Sequence, residues 1–200
     1  MELLLGTQNT GKILEMRDAL EDLPIVILTP DALGIREIPH EEGDSFEANA
    51  LLKAQFYFSR TGIPTLTDDS GILVDAMQGE MGIHTRRWGP GTAASDEEWI
   101  AAFLERMHGE ENRHATFTCT LCFINAAREE HLFTGQCTGL ITDTLESTYL
   151  PGLPISACFK PLGSSTVYAA MDTEQKNYTS HRGKALLELR SFLERSMTRD

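Results

Sequence analysis

The sequence predicts an α/β (α+β) domain built on a mixed β-sheet with flanking helices. Three observations lead there. An apolar run at residues 2–5 passes through a glycine-containing turn into a helical pattern, the strand–turn–helix unit of α/β folds. Residues 115–124 and 131–142 alternate apolar with polar side chains and are rich in Thr, Phe, Leu and Ile, as a pair of antiparallel strands is. No repeat, linker or low-complexity stretch interrupts the 200 residues, so residues 1–200 read as one domain.

The elements follow in order. Residues 2–5 form a first buried strand. After Gly6-Thr7-Gln8-Asn9-Thr10-Gly11-Lys12, a helix opens with Ile13, Leu14, Met16 and Leu20 apolar, and with Asn9 or Thr10 as its cap. Residues 24–29 read as a second buried strand. A charged stretch with Glu37, His40, Glu41, Glu42 and Asp44 precedes a helix capped by Ser45, with Phe46, Ala50, Leu51, Ala54 and Phe58 on its apolar side. Thr65 onward is a strand that ends at Asp68-Asp69, with Ser70-Gly71 turning the chain. A loop bracketed by Gly79 and Gly82 carries Arg86-Arg87-Trp88, a phosphate contact, a base contact or a dimer surface. Ser95 caps a helix over 95–107, with Glu98 completing a capping box. In the alternating pair, Gly135 and Gly139 mark bends or bulges. Residues 143–165, punctuated by proline and glycine, are mostly loop. A last helix begins near Ser180-His181-Arg182-Gly183-Lys184.

Composition narrows the function classes. A formal net charge of −13 disfavours non-specific binding to a nucleic-acid backbone. An anionic substrate therefore needs a local basic pocket or a metal. No run has the length to span a membrane, and the N-terminus lacks the basic and long apolar regions of a signal peptide. Cys119, Cys122, Cys137 and Cys158 include one C-x-x-C, but no second pair completes a zinc set; they read as buried thiols in a reducing cytoplasm.

Two stretches bear chemistry. The first, Gly6 to Lys12, is a near P-loop with Ile13 where the metal-binding hydroxyl belongs. A helix N-terminus offers free N–H groups and a partial positive charge to a phosphate, and Lys12 adds a full charge. The missing hydroxyl leaves a metal to be held elsewhere. Adjacent Asp68 and Asp69, whose mutual repulsion a cation relieves, are the second stretch and the obvious ligands; Glu41 or Glu42 is a further candidate. Near the C-terminus, His181, Arg182 and Lys184 crowd a helix start whose dipole opposes them, so an anion there relieves the conflict.

Taken in register, these stretches resemble the inosine triphosphatase family, the noncanonical purine nucleoside triphosphate pyrophosphatases. The resemblance rests on Thr7 to Lys12, Ser45 to Ala54, Thr67 to Gly71 with Val74-Asp75-Ala76, Phe159 to Gly163, Tyr168 to Met171, and Lys176-Asn177 with Ser180 to Arg182. It implies an elongated mixed sheet with two lobes around a cleft, a homodimer, and Mg²⁺-dependent hydrolysis of a nucleoside triphosphate to monophosphate and pyrophosphate. By position, Thr7, Gln8, Asn9, Thr10, Gly11 and Lys12 hold the triphosphate. Asp69 ligates Mg²⁺ and serves as base, Asp68 assists, and Glu41 supplies a second metal ligand. Lys53, Lys176, His181 and Arg182 contact phosphates or the base edge, and Ser70 joins the substrate-binding set.

The chain departs from the family pattern where the base is read. The usual Gly-Phe-Gly-Tyr-Asp-Pro is here Gly152-Leu153-Pro154-Ile155-Ser156-Ala157, so Leu153 stands for the stacking aromatic and Ser156 for the carboxylate. The glutamate expected after Ala169 is Ala170, and an ungapped reading sets His40 on the first acid of the usual pair. Stacking on an aromatic contributes about 1–3 kcal/mol per base, so an altered base preference is expected. The alternative is a non-hydrolysing nucleotide sensor of the same fold. Retention of Lys12, Asp68 and Asp69 argues against it.

Overall fold

The structure, a computed structural model, describes residues 1–197. Six strands form one mixed sheet: β1 (Glu2–Leu5), β2 (Val26–Leu28), β3 (Thr65–Val74), β4 (His114–Ile124), β5 (Glu130–Ile141) and β6 (Phe159–Pro161). Their order is β2-β1-β3-β4-β5-β6. β1 pairs parallel with both β2 and β3, while β3-β4-β5-β6 are antiparallel. Five helices flank the sheet: α1 (Thr10–Leu20), α2 (Phe46–Thr61), α3 (Asp96–Arg106), α4 (Thr173–Thr179) and α5 (His181–Met197).

The expected caps form. Asn9 Oδ1 accepts from Lys12 N at 3.0 Å and Ser45 Oγ from Ala48 N at 3.1 Å, and Ser95 with Glu98 makes the capping box. Each such cap is worth about 1 kcal/mol. Leu3, Leu5, Leu66, Leu121 and Phe123 pack with Leu186 and Leu189 of α5 in one core cluster. Ile72, Trp99, Phe103 and Phe159 anchor a second.

Three expectations change. The strand predicted at 24–29 shrinks to Val26–Leu28 and lies at the sheet edge, with Val26 58% exposed rather than buried, because only β1 covers it. The acidic stretch is not a turn. Asp68, Asp69, Ser70 and Gly71 sit in the middle of the ten-residue β3, each paired with β4, from Asp68↔Leu121 to Gly71↔Thr118. Gly71 serves close packing: a Cβ there would lie 2.2 Å from the Gly82 carbonyl oxygen and 2.7 Å from Thr85 Oγ1. Gly135 and Gly139 likewise mark no bulge, since β4 and β5 pair without a break. A Cβ on Gly135 would meet the His181 carbonyl oxygen at 2.1 Å, so this glycine lets the start of α5 press against the sheet.

Candidate active site

Alternation along β3 sends Asp68 and Asp69 to opposite sides of the strand, and each carboxylate finds its own cations. Asp68 is fully buried and accepts from four groups: Lys12 Nζ, Arg182 Nε at 2.8 Å, Ser70 Oγ at 2.9 Å and Cys119 Sγ at 3.0 Å. Burial alone would raise its pKa, but Arg182 and Lys12 reverse that and hold the carboxyl well below the usual range. Asp69 accepts from Lys53 Nζ at 2.7 Å. For Asp69, burial outweighs Lys53 and Lys12, and its pKa is raised above the ordinary Asp value. The pair thus splits into a buried carboxylate held by two cations and one that leans on Lys53 at the cavity wall.

Lys53 comes from α2 and also donates to Glu41 Oε1 at 2.6 Å. The backbone carbonyl of Glu41 is held by Arg87 Nη1 at 3.0 Å. Asp69 and Glu41 therefore converge on one point. Among the described residues no group of three or more His, Cys, Asp or Glu side chains is placed to hold a metal. The Asp69 and Glu41 carboxylates share Lys53 Nζ, while Asp68 is occupied by four donors.

Arg182 and Lys176 both bind Glu15, an acid that stands one helical turn after Lys12 on the same side of α1. Arg182 is only 3% exposed, so the basic helix start is not a solvated face, and its counter-anions are the protein's own Asp68 and Glu15. Lys184 does point outward, to the Gln136 carbonyl. Ser180 caps α5 through Gly183 N at 2.9 Å. Burial and Arg182 beside it push the His181 pKa well below the ordinary value, and among the described residues its Nδ1 meets no hydrogen-bond partner.

These groups line one cavity of about 350 Å³, inside the size range of small-molecule sites. Thr7, Gln8, Asn9, Lys12, Lys53, Asp68, Asp69 and Ser70 border it, as do Glu41, Leu153, Ile155, Ser156, Lys176, His181 and Arg182. Thr10 and Gly11 do not. Thr10 faces solvent, and Gly11 is buried with its N–H given to the Pro151 carbonyl at 3.1 Å. The turn is less open than a P-loop: Asn9 N donates to Thr7 Oγ1, Lys12 N to Asn9 Oδ1 and Ile13 N to the Asn9 carbonyl. The amides of Thr7, Asn9, Gly11, Lys12 and Ile13 are thus already paired within the protein.

The 151–153 segment docks on that turn, with Asn9 Nδ2 donating to the Gly152 carbonyl at 3.1 Å and Gly152 N to Asp96 Oδ2 at 2.5 Å. Leu153 packs against Gly11, where a Cβ would come within 2.8 Å of it. Aromatic rings reach the cavity from elsewhere. Phe117 stacks on His181 with centroids 4.5 Å apart and planes 11° from parallel, and Tyr168 stacks on both. Sequence reasoning missed Glu15, Phe117 and Cys119. Glu15 was within reach, because i,i+3 spacing from Lys12 places it on the same helix face. The others come together only through sheet register and long-range packing.

The Ham1 family model matches residues 3–192. Among similar proteins is a dITP/XTP pyrophosphatase of Leptospira interrogans, 37% identical over 192 residues, covering 96% of both chains. Another, of Symbiobacterium thermophilum, is 39% identical over 188 residues, covering 92% of this chain and 90% of its own. Of solved structures, a HAM1 protein from Coxiella burnetii superposes with a TM-score of 0.81 at 30% identity, covering 98% of this chain and 99% of that one. The Staphylococcus aureus Ham1 protein gives 0.79 at 28%, covering 98% and 100%. The motifs, the sheet and these matches agree: this chain belongs to the Ham1 family.

Proposed function

We propose that this protein is a nucleoside triphosphate pyrophosphatase that attacks the α-phosphorus and releases a nucleoside monophosphate and pyrophosphate. Its substrates are noncanonical purine triphosphates such as ITP, dITP and XTP, or a related altered base. The observation that carries the reading is the cavity in which Asp69, with a raised pKa, faces Lys53 and Glu41 beside Lys12. Relatives at 37% and 39% identity named dITP/XTP pyrophosphatase support it.

In this reading Asp69, which accepts from Lys53 Nζ at 2.7 Å on the cavity wall, takes the proton of the attacking water. Lys12 and Lys53 stabilise charge growing on the phosphate oxygens. Asp68 fixes Lys12 and Arg182 in place. Mg²⁺ is the cofactor, with Asp69 and Glu41 as its protein ligands. One or two carboxylates together with substrate phosphates are an ordinary Mg²⁺ set. When bound, the ion neutralises phosphate charge. The whole chain works as one domain, paired as a homodimer, without nucleic acid or membrane partners. Its place is the cytoplasm, where four buried free thiols are stable. Among the described residues no helix is long and apolar enough to cross a membrane.

The test is turnover over common and modified triphosphates, with and without Mg²⁺, measuring pyrophosphate and orthophosphate separately. Pyrophosphate from dITP or XTP, abolished by chelation, is expected. Orthophosphate as the product would reject α-attack. Tight binding by calorimetry with no turnover would favour the nucleotide sensor. Leu153 and Ser156 favour an altered base preference, and a wide margin for ITP and XTP over every modified base would reject it.

A further inference from the structure

Four buried side-chain nitrogens among the described residues meet no hydrogen-bond partner: Asn49 Nδ2, Trp99 Nε1, His131 Nε2 and His181 Nδ1. Of these four residues, Trp99 and His181 border the main cavity. An imidazole nitrogen donates or accepts according to its tautomer, whereas an indole N–H only donates. Phenylalanine would fill the same part of a core without a buried donor, and such a donor is costly unless something completes it. Trp99 is 2% exposed and held on two sides. Phe103 stacks on it with centroids 5.6 Å apart and planes 15° from parallel, and Trp88 meets it edge-on at 5.6 Å and 70°. Trp88 is already satisfied, since its own Nε1 donates to Glu80 Oε2 at 3.0 Å.

The fold sets Trp99 beside the segment where the resemblance places the base. Asp96 opens α3, and its Oδ2 accepts from Gly152 N at 2.5 Å. Trp99 follows three residues later, on the same face of the helix. It shares a core cluster with Ile155 and Tyr168. Leu153, Pro154, Ile155 and Ser156 border the cavity with it. The first three have no side-chain donor, and Ser156 Oγ donates to the Leu153 carbonyl at 2.6 Å. Among these five residues, Trp99 alone keeps a side-chain donor without a partner.

A donor that cannot accept selects for an acceptor. Hypoxanthine and xanthine carry an oxo oxygen at the 6-position, where adenine carries an amino group that is itself a donor. Resting on the pyrophosphatase reading, we infer that Trp99 is a specificity-determining residue whose indole N–H donates to the 6-oxo oxygen of the bound purine. A site built to hydrogen-bond one group rejects the analogue that lacks it, because the buried partner is then left unpaired. In this chain α3 thus supplies a polar contact that the apolar stretch at 153–155 does not.

The experiment compares ITP with purine riboside triphosphate, which carries only hydrogen at the 6-position. Pyrophosphate release is measured with Mg²⁺ on the unmodified protein and on Trp99→Phe, which keeps an aromatic ring against Phe103 and Trp88 and removes the N–H. The ratio of kcat/KM for ITP to that for purine riboside triphosphate should fall about tenfold in the variant. An unchanged ratio overturns the inference while leaving pyrophosphate release, and so the parent reading, intact. A second measurement serves if Trp99→Phe fails to fold. The chain has two tryptophans, so a proton–nitrogen correlation spectrum carries two indole N–H signals, which Trp88→Phe tells apart. Saturating IMP should move the Trp99 signal downfield, and purine riboside monophosphate should move it less. A Trp99 signal that IMP leaves in place, or that both nucleotides move alike, overturns the inference. Absence of turnover on either triphosphate by the unmodified protein overturns the parent reading and this inference with it.

Discussion

Replacing Asp68 and Asp69 in turn by asparagine separates anchor from base. Asp68→Asn puts an amide where four donors converge, leaving Lys12 without its ion-pair partner and Arg182 with Glu15 alone. Breaking a buried ion pair by removing one partner costs about 3–5 kcal/mol. For a chain of this length each kcal/mol shifts Tm by roughly 2–4 °C, so Tm should fall by roughly 6–20 °C. Asp69→Asn differs. Lys53 keeps Glu41 at 2.6 Å, and the lost carboxylate is one whose charged form burial already disfavours. Its Tm should stay within about 3 °C of the parent. Its rate should fall by about 10²–10⁴, the usual worth of a general base, or about 3–5 kcal/mol of barrier. Thermal unfolding by circular dichroism and pyrophosphate release on the same samples read both effects. Comparable Tm losses for the two variants, or near-parent turnover in Asp69→Asn, would refute the division of roles.

Three further expectations follow from the same geometry. Lys53→Met removes the cation shared by Asp69 and Glu41; turnover should fall by about 10²–10³, the usual worth of one donor to developing charge, and near-parent turnover would exclude Lys53 from that role. Asp68 and Glu15 are both held below their ordinary pKa values by Arg182 and its neighbouring lysines. Their stabilising contribution is therefore complete above the unfolded carboxylate values, about 4, and is lost as pH falls below them; Tm should be lower at pH 3 than at pH 6, with a smaller difference in Asp68→Asn. Gly71→Ala would set a methyl group 2.2 Å from a backbone oxygen; overpacking of this kind costs about 1–3 kcal/mol, and an unchanged melting curve would show that the 82–87 segment yields freely.

The helices and their caps were legible in the sequence because caps are local: Asn9, Ser45 and Ser95 each satisfy an amide three residues on. The β4–β5 pair was legible from alternation. The acidic stretch was misread because Asp, Asp, Ser and Gly are all turn formers by propensity, and only the ladder with β4 overrides that preference. The role of Gly71 was hidden for the same reason, since what it accommodates, the Gly82 carbonyl, approaches from a later loop. Lys12, Asp69, Lys53 and Glu41, which the resemblance groups, border one cavity. The pairing of Asp68 with Arg182 joins residues 114 apart, and no spacing rule reports it. Nor does any local pattern reveal that the aromatic surface of the cavity comes from Phe117, Tyr168 and His181 instead of position 153.

The ion pairs of the cavity bear on how fast a ligand arrives. Lys12, Lys53, Lys176 and Arg182 are each already matched to a carboxylate, and the whole molecule carries a formal charge of −13. Such a cleft projects little positive potential into solvent, so it cannot draw in a polyanion from a distance as an unpaired basic funnel does. Capture must proceed by exchange at close range, a phosphate oxygen taking over a cation as a carboxylate lets it go. Association should then be slower than the diffusional limit and should gain little from lowering ionic strength.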